Sequence, residues 1–255
     1  MDKEAFIISA FNNNFNGDDG AIINDWCFSK DLFFEDVHFK RKWLSLEQIA
    51  TKAMLVNISD AIVMNARPKF ALIGLSLPKN LSLDEIKSLQ NGLLKTAKEF
   101  KIQIIGGDTI SSDKIAISIT LLSKLNGRAI FRKGLKKDMF LAFTGKLGDS
   151  LKGLKSLQSG FKLHKNHRFV RPILRANFFY EASKKICVAM DISDGLNKDL
   201  ARMLNLNKLN IKWLKKMSKN ELISGEEYEI LFAFSGKNKK RIQNLAKKHR
   251  IKINI

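Results

Sequence analysis

The chain has 255 residues, 45% hydrophobic and 27% charged, which is typical of an ordinary globular protein. That length suits one large domain or two medium ones. No apolar run approaches the roughly 18 residues of a membrane-spanning helix, and no signal peptide is recognisable, so no membrane association is expected. Cys27 and Cys187 lie far apart in apolar surroundings. They are predicted to be buried free thiols, which indicates the reducing cytoplasm.

The net charge of +20 raises the hypothesis of a nucleic-acid-binding protein. The basic residues are dispersed, however, and abundant lysine accompanies abundant asparagine, isoleucine and phenylalanine, as a genome-wide compositional bias would produce. They concentrate only in 237–252, where the pattern is typical of a solvated helix. We therefore expect no nucleic-acid partner, and infer only that the positive field favours anionic substrates such as phosphates.

Four segments of the first half have the composition of strands, because they alternate or are rich in β-branched residues. They are 21–34, 69–78, 101–109 and 114–123. The first is predicted to be a strand or a hairpin. The second is expected to stop at Pro78, and the third, "KIQIIGGDT", to run into a glycine turn.

Two helices are predicted in the same half. Apolar residues recur at helical spacing over 46–64, with Asn57 and the "ISD" segment 58–60 as interruptions, and Pro68 is expected to end this region. The segment 82–100 opens with "SLDE", a capping-box pattern, and predicts an amphipathic helix.

The segment 125–138 is basic, contains glycine and is weakly periodic, which predicts a linker or a crossover strand. A second alternation follows, with strands at "MFLAFTG", "ICVAM" and "YEILFAFSG". Helices are predicted within 147–160, within 166–185, from Ser193 onward and near the end, before a last strand. Alternation in both halves predicts an α/β (or α+β) fold with two domains, 1–130 and 131–255.

Four short segments each place aspartate beside a small residue near the end of a predicted element. They are Gly17-Asp18-Asp19-Gly20, Asn57-Ile58-Ser59-Asp60, Gly106-Gly107-Asp108-Thr109 and Asp191-Ile192-Ser193-Asp194-Gly195. Each alone is more typical of a helix N-cap or a turn, and the repeated "ISD" predicts two similar helix starts. Together they favour a phosphate–metal site, because aspartates gathered from distant segments repel unless a cation such as Mg²⁺ neutralises them. No P-loop and no protein-kinase motif set occurs.

The order and wording of these motifs resemble the thiamine-monophosphate kinase family over about residues 17–234. The matching pieces are "GDDGAII", "SKDLFFEDVHF", "KAMLVNISDAIVMNARP", "IGGDT", "FRKGLKKD", "TGKLGDSLKGL", "RFVRPILR", "AMDISDGLNKDLARM" and "SGEEYEILF". The resemblance implies the two-domain fold of the aminoimidazole ribonucleotide synthetase-like superfamily. Its N-terminal domain would form a barrel with the same domain of a second copy in a homodimer, and its C-terminal domain would be an α/β sandwich.

The resemblance also implies direct phosphoryl transfer from ATP to thiamine monophosphate, giving thiamine diphosphate and ADP. Several Mg²⁺ ions would be held by Asp19, Ser29, Asp31, Asp60, Asp108, Asp191 and Asp194. The nucleotide would contact Gly107, Asp108, Arg132 and Ser193. The thiamine phosphate would contact His38 and Glu227, with Glu226 as the alternative to Glu227. No catalytic nucleophile or strong base is implied, because the acceptor phosphate oxygen is already anionic.

Without the resemblance, several of these residues would have ordinary interpretations. His38 would be a packed structural histidine and Arg132 a surface arginine. Glu226, Glu227 and Glu229 would be solvated charges. Asp199 is interpreted as a helix-surface residue. His164 and His167 are interpreted as exposed loop residues rather than metal ligands.

Three departures from the family pattern leave alternatives open. Lys30 replaces the threonine of the usual Ser-Thr-Asp triplet, so its ammonium would either replace part of a cation's charge or point away. The usual Glu-Asp pair is Glu226-Glu227. The C-terminal segment with its substrate-covering aromatic is missing, and Trp213 or phenylalanines could replace it, although core packing is favoured for Trp213. The alternative functions are a catalytically weakened nucleotide-binding member and another ATP-dependent enzyme of the superfamily.

Overall fold

The computed structural model describes residues 3–11, 13–214 and 216–255. A short helix α1 (Lys3–Ser9) precedes the first sheet, which is built from five strands. They are β1 (Ala21–Ile23), β2 (Trp26–Phe34), β3 (Ala66–Leu77), β4 (Gln103–Ser111) and β5 (Ala116–Leu125). The strand order is β1-β2-β5-β3-β4, with β3 and β4 parallel and the other pairs antiparallel. The four predicted strand segments are confirmed, the first of them as the β1–β2 hairpin.

Two long helices, α2 (Leu46–Val63) and α3 (Leu83–Phe100), lie on one side of this sheet. Each begins with a capping box, which satisfies the free N–H groups of its first turn. Two predictions about α2 are wrong. The helix continues through the "ISD" segment 58–60 instead of starting or breaking there. Pro68 lies inside β3, at an irregularity of the β3–β5 register where a missing N–H is tolerated.

Both glycines of "IGGDT" lie inside β4, so the predicted glycine turn is wrong. A Cβ atom on Gly107 would lie 1.8 Å from the carbonyl oxygen of Ile73 on the paired strand β3. Only glycine fits this close approach of two backbones.

The second half contains a four-stranded antiparallel sheet in the order β7-β8-β6-β9. Its strands are β6 (Met139–Thr144), β7 (Val188–Asp191), β8 (Ile230–Ser235) and β9 (Ile253–Asn254). The helices are α4 (Asp149–Gln158), α5 (Ala176–Ala182), α6 (Leu196–Asn207), α7 (Lys219–Ile223) and α8 (Lys239–Lys248). Short 3₁₀ turns occur at Ser183–Lys185 and Gly236–Asn238.

The predicted mixed α/β class is confirmed, and of the linker or crossover strand predicted for 125–138 the structure has the linker. Residues 126–138 join the two sheets without forming a strand or a helix. One hydrophobic core nevertheless extends through both halves, with Ile58 of α2 in the same cluster as Phe179 and Phe232. Helix α2 therefore lies between the two sheets and presents side chains to each half.

The face of the first sheet opposite α2 carries exposed apolar side chains. Leu32 and Phe34 of β2, Leu72 of β3 and Ile110 of β4 are between 40% and 59% exposed. The strand register places all four on this same face. An apolar sheet face of this kind is typical of an association surface.

None of the described helices combines the length and apolar composition that a bilayer-spanning segment needs. The two cysteines are free, as predicted. Cys27 is fully buried, whereas Cys187 is only half-buried, so the predicted burial is confirmed for Cys27 alone.

Candidate active site

Three aspartates from distant segments meet between the two halves. Asp19 precedes β1, Asp60 lies near the end of α2, and Asp191 ends β7. One carboxylate oxygen from each lies within 4.8 Å of the others. Asp31 of β2 adjoins them, since its charge is one of the causes that raise the pKa of Asp60. We call Asp19, Asp31, Asp60 and Asp191 the acid cluster.

The acid cluster is short of positive charge. Burial, aided by the neighbouring carboxylates, raises the pKa of Asp60 and of Asp191 well above the ordinary value. Burial and the charge of Asp19 raise the pKa of Asp31 to about 6. The Ser59 hydroxyl donates a 2.8 Å hydrogen bond to Asp191 and offsets part of this effect. An all-oxygen set of under-neutralised carboxylates fits a hard divalent cation such as Mg²⁺.

Arg132, in the linker between the sheets, supplies a cation at this site. Its Nε donates to Asp19 Oδ2 at 3.1 Å and its Nη2 donates to Asp19 Oδ1, a bidentate arrangement. Its backbone N–H donates to Asp18 Oδ1 at 2.6 Å. Burial is the main cause that raises the pKa of Asp18 to about 6. The interpretation of Arg132 as an ordinary surface arginine is therefore wrong, since its side chain is only 15% exposed.

The Ser-Lys-Asp triplet of β2 divides between the two faces of the first sheet. Ser29 faces α2, where its hydroxyl is hydrogen-bonded to Asn57 and is 3% exposed. Lys30 lies on the opposite face, where its ammonium contacts the Ser118 hydroxyl. Of the two alternatives for Lys30, the structure gives the one in which the side chain points away from Asp31.

Asp108 lies far from the acid cluster of its own chain. It pairs with Gly74, which pairs with Ser118, which pairs with Leu32. Three strand spacings separate it from β2, about 14 Å at roughly 4.8 Å each. It also lies on the exposed sheet face, whereas Asp31 faces α2. One chain therefore cannot bring Asp108 to the acid cluster, and the structure gives Gly107 a packing role in the β3–β4 pair.

Asp194 is likewise separate from the acid cluster. Its Oδ2 accepts hydrogen bonds from Lys198 and Arg202, both at 3.0 Å. The surface interpretation of Asp199 is wrong, because its side chain is fully buried and accepts a 3.0 Å hydrogen bond from the Asp194 N–H. The N-cap of α6 is Gly195, so the helix starts three residues after Ser193.

A cavity of about 560 Å³ lies beside Ser193 and Asp194, which follow Asp191 in the chain. Polar and apolar side chains contribute to its walls about equally. The apolar lining includes Val37, Trp43, Leu151, Leu154 and Phe169, and the polar lining includes His38, Lys40, Ser193, Asp194 and Glu226. A cavity in which polar groups converge between aromatic and aliphatic side chains is typical of a small-molecule site.

His38 is a half-buried wall residue of this cavity. Its Nδ1 accepts a 3.0 Å hydrogen bond from the Phe34 N–H, and its ring stacks on Phe33 at 5.2 Å between centroids. Burial lowers the pKa of His38, opposed by the charge of Glu226. The neutral imidazole therefore presents its Nε2–H as a donor, since Nδ1 is used as the acceptor.

Glu227 does not line this cavity, whereas Glu226 does. Glu227 is fully buried, and its Oε1 accepts hydrogen bonds from the N–H groups of Gly148 and Ser150 and from the Ser224 hydroxyl, at 2.6–3.1 Å. It thus serves the N-terminus of α4. Of these two residues, only Glu226 is placed where a ligand in the cavity could contact it. Glu229 is fully buried too, so the interpretation of Glu227 and Glu229 as solvated charges is wrong.

Sequence reasoning missed Lys52 and Trp43. Lys52 is fully buried, with its ammonium 3.1 Å from Glu226 Oε2 and 3.8 Å from the ring centroid of Phe169. It opens the "KA-x-x-VN-x-SD" motif seven residues before Ser59, which is two helical turns and therefore the same face of α2. The sequence spacing of Lys52 and Ser59 could therefore have placed Lys52 on the side of α2 that faces the site. Trp43 lines the cavity, whereas Trp213 lines a different one in the second half.

Comparison with known proteins places these features in a family. A family model described as AIR synthase related protein, N-terminal domain, matches residues 17–125. The structure of AaThiL complexed with AMPPCP and TMP matches with a TM-score of 0.82 and 27% identity, covering 92% of this chain and 84% of that one. A HypE-HypF complex matches with a TM-score of 0.79 but only 17% identity, which is a likeness of fold alone.

Two curated relatives are more similar to this chain in sequence than these two solved structures are. The thiamine-monophosphate kinase of Aquifex aeolicus is 31% identical over 245 residues, covering 85% of this chain and 79% of that protein. That of Bacillus subtilis is 31% identical over 200 residues, 73% of this chain and 61% of that protein. This chain therefore belongs to the thiamine-monophosphate kinase family.

Proposed function

We propose that this chain transfers the terminal phosphoryl group of ATP to thiamine monophosphate and releases thiamine diphosphate and ADP. The observation that carries the proposal is the acid cluster lying next to a cavity of small-molecule size with both aromatic and polar walls. Phosphoryl transfer needs positioning and charge neutralisation more than covalent chemistry. The two neighbouring sites supply these two needs separately.

The acid cluster is the part of the chain that would hold Mg²⁺. Asp19, Asp60 and Asp191 already have oxygens at mutual distances that one ion can span, and Asp31 adjoins them. Bound Mg²⁺ would neutralise phosphate charge between the two substrates. Ser29 and Asp194 remain predicted ligands of further ions, although each has other partners in this structure.

Arg132 and Ser193 would contact the nucleotide. The Arg132 guanidinium forms a two-point contact with a carboxylate, and a phosphate offers the same pair of oxygens. Once a metal neutralises Asp19, the guanidinium can pair with ATP instead. Ser193 lines the cavity two residues after Asp191 of the acid cluster, and its hydroxyl would donate to a phosphate oxygen.

The cavity suits the ring system of thiamine monophosphate. Trp43 and Phe169 give flat aromatic walls, and the carboxylate of Glu226 favours a cationic ring or an N–H donor. His38 would donate its Nε2–H to an oxygen of the substrate. No side chain needs to act as a base, since the acceptor phosphate is already anionic.

We further propose a homodimer formed through the exposed face of the first sheet, which would close a barrel from two sheets. The exposed apolar side chains on this face support the proposal. Asp108 supports it too: it lies on the same face, out of reach of its own acid cluster, so its predicted role requires a second copy.

We also propose domain limits of 1–130 and 131–255 and a cytoplasmic location. The free cysteines support that location.

The decisive test incubates the purified protein with ATP, MgCl₂ and thiamine monophosphate and separates the thiamine species by chromatography. We expect thiamine diphosphate and ADP in equal amounts, and none from Asp60→Asn. A folded protein that makes no thiamine diphosphate would refute the proposal. If calorimetry then still shows ATP–Mg²⁺ binding, the chain is a nucleotide-binding member without turnover.

A further inference from the structure

We propose that Lys52 is a positioning residue for substrate recognition. It holds the Glu226 carboxylate against the cavity so that the second oxygen accepts a hydrogen bond from an N–H donor of the substrate's heteroaromatic ring. The proposal deepens the proposed function and rests on it.

Lys52 acts through Glu226 because it cannot reach the substrate itself. Its side chain has no exposed surface, and its ammonium lies 3.1 Å from Glu226 Oε2. The same ammonium lies 3.8 Å from the ring centroid of Phe169 and 5.9 Å from that of Phe33. Phe169 lines the cavity and Phe33 stacks on His38, so the ammonium lies directly behind the cavity wall.

Packing alone does not account for a lysine at this position. An apolar side chain of similar volume would fill the same space without the cost of desolvating an ammonium. That cost is visible in the pKa of Lys52, which burial lowers and which the charge of Glu226 partly restores. A buried cation with one carboxylate partner and two aromatic faces fixes that carboxylate in one direction.

Glu226 is held at both ends. Its backbone N–H donates a 2.7 Å hydrogen bond to the Ser193 carbonyl, with a positive φ of 54° that fixes the turn. Its Oε2 pairs with Lys52, and among the described residues no hydrogen bond reaches Oε1. The side chain is 26% exposed and lines the cavity. The free oxygen is therefore an acceptor available to a ligand.

The position of Lys52 on α2 separates its effect from the chemistry at the phosphates. Lys52 and Ser59 are seven residues apart, which is about 10.5 Å along the helix axis. Ser59 contacts Asp191 at the acid cluster, whereas Lys52 contacts the cavity. Loss of Lys52 should therefore weaken binding of the thiamine phosphate and leave binding of ATP unchanged.

The experiment compares wild type, Lys52→Met, Glu226→Gln and the double variant by calorimetry. Thiamine monophosphate is titrated in the presence of Mg²⁺ and a non-hydrolysable ATP analogue, and the analogue is titrated separately. Lys95→Met is the matched control, because it removes a lysine whose exposed ion pair with Glu47 joins α3 to α2 away from the cavity. Thermal melts establish that each variant is folded.

We expect Lys52→Met to weaken thiamine monophosphate binding about tenfold, as for a lost hydrogen bond to a charged group. Analogue binding should stay within about twofold of wild type, and Lys95→Met should match wild type. The double variant should bind no more weakly than Glu226→Gln, since both changes disrupt one unit. Lys52→Gln, which keeps an N–H donor to Glu226, should lose less. If Lys52→Met does not fold, Lys52→Gln replaces it in the comparison.

Three results would overturn the role of Lys52 alone. The first is wild-type affinity for thiamine monophosphate in the Lys52 variants. The second is multiplication of the two single effects in the double variant. The third is equal weakening of analogue binding, which would indicate a general structural role. If the wild type binds the nucleotide analogue but no thiamine monophosphate, the proposed function itself fails, together with the recognition role.

Discussion

Replacing Asp191 by asparagine should stabilise the metal-free protein while removing its response to Mg²⁺. The side chain is 2% exposed and its carboxylate lies within 4.8 Å of those of Asp19 and Asp60. Asparagine has nearly the same shape, and its amide oxygen can still accept the hydrogen bond from Ser59. The substitution therefore removes a charge and little else.

The size of the effect follows from Coulomb's law. Two like charges 4.8 Å apart repel by about 3.5 kcal/mol at an effective dielectric constant of roughly 20. Partial protonation of the acid cluster and the nearby Arg132 guanidinium reduce this figure. We expect about 1–3 kcal/mol of stabilisation, which corresponds to a rise in Tm of roughly 2–10 °C for a chain of this size.

Thermal melts with EDTA and with increasing MgCl₂ test this prediction. Wild type should gain stability with Mg²⁺, and Asp191→Asn should gain much less, since it lacks one ligand of the cluster. Turnover should fall by orders of magnitude. The matched control is Asp194→Asn in the same segment. Its carboxylate is already paired with Lys198 and Arg202, so removing the charge should not stabilise the metal-free protein.

The reasoning fails if Asp191→Asn lowers the Tm of the metal-free protein, or if Asp191→Asn and Asp194→Asn behave alike. A Mg²⁺-induced shift of wild-type size in Asp191→Asn would show that the acid cluster is not where the ion binds.

The remaining predictions concern pH, the β3–β4 pair and the cavity. The folded-state pKa of Asp191 is raised well above its ordinary value of 3.8, so its cost to stability grows as pH rises above about 4, until pH passes that folded-state pKa. The stabilisation by Asp191→Asn in urea unfolding should therefore be absent near pH 4 and larger near neutral pH, and a stabilisation that does not change with pH would contradict it. In the same assay, Gly107→Ala should lower the free energy of unfolding by about 3 kcal/mol, because its Cβ would lie 1.8 Å from the Ile73 carbonyl oxygen. Gly74→Ala, whose Cβ would have its nearest contact at 3.4 Å, should lower it by less than about 1 kcal/mol. Equal losses in the two variants would refute the close approach of the two backbones at Gly107. Trp43→Ala should raise KM for thiamine monophosphate about tenfold and leave KM for ATP unchanged, while equal changes in both would remove Trp43 from the thiamine site.

The elements with their own local signals were predictable from the sequence. Helix α3 has a capping box and a clear apolar face, and the predicted strands alternate or are rich in β-branched residues. Helix α2 was harder, because polar Asn57 and Ser59 break its apolar pattern. Each has a partner far along the chain: Asn57 donates to the Ile119 carbonyl and Ser59 to Asp191. Tertiary partners of this kind leave no local trace.

The candidate site was predictable as a set of acidic segments but not as an arrangement. Glu226 and Glu227 are adjacent and chemically similar, yet one lines a cavity and the other is buried under α4. The positive φ of Glu226 sets that difference, and composition does not encode it. Asp108 shares the Gly-Asp pattern of the acid segments, but strand order places it on the far side of the sheet.

The contact between Arg132 and Asp19 bears on how the protein matures. A guanidinium stays charged at every pH at which a protein is folded. It can therefore neutralise part of the acid cluster before any metal ion arrives. Many small metal-binding domains fold only when the ion is present. In this chain the Arg132 guanidinium acts as a built-in counter-ion, so the aspartates of the acid cluster can come together as the chain folds and bind a metal ion afterwards.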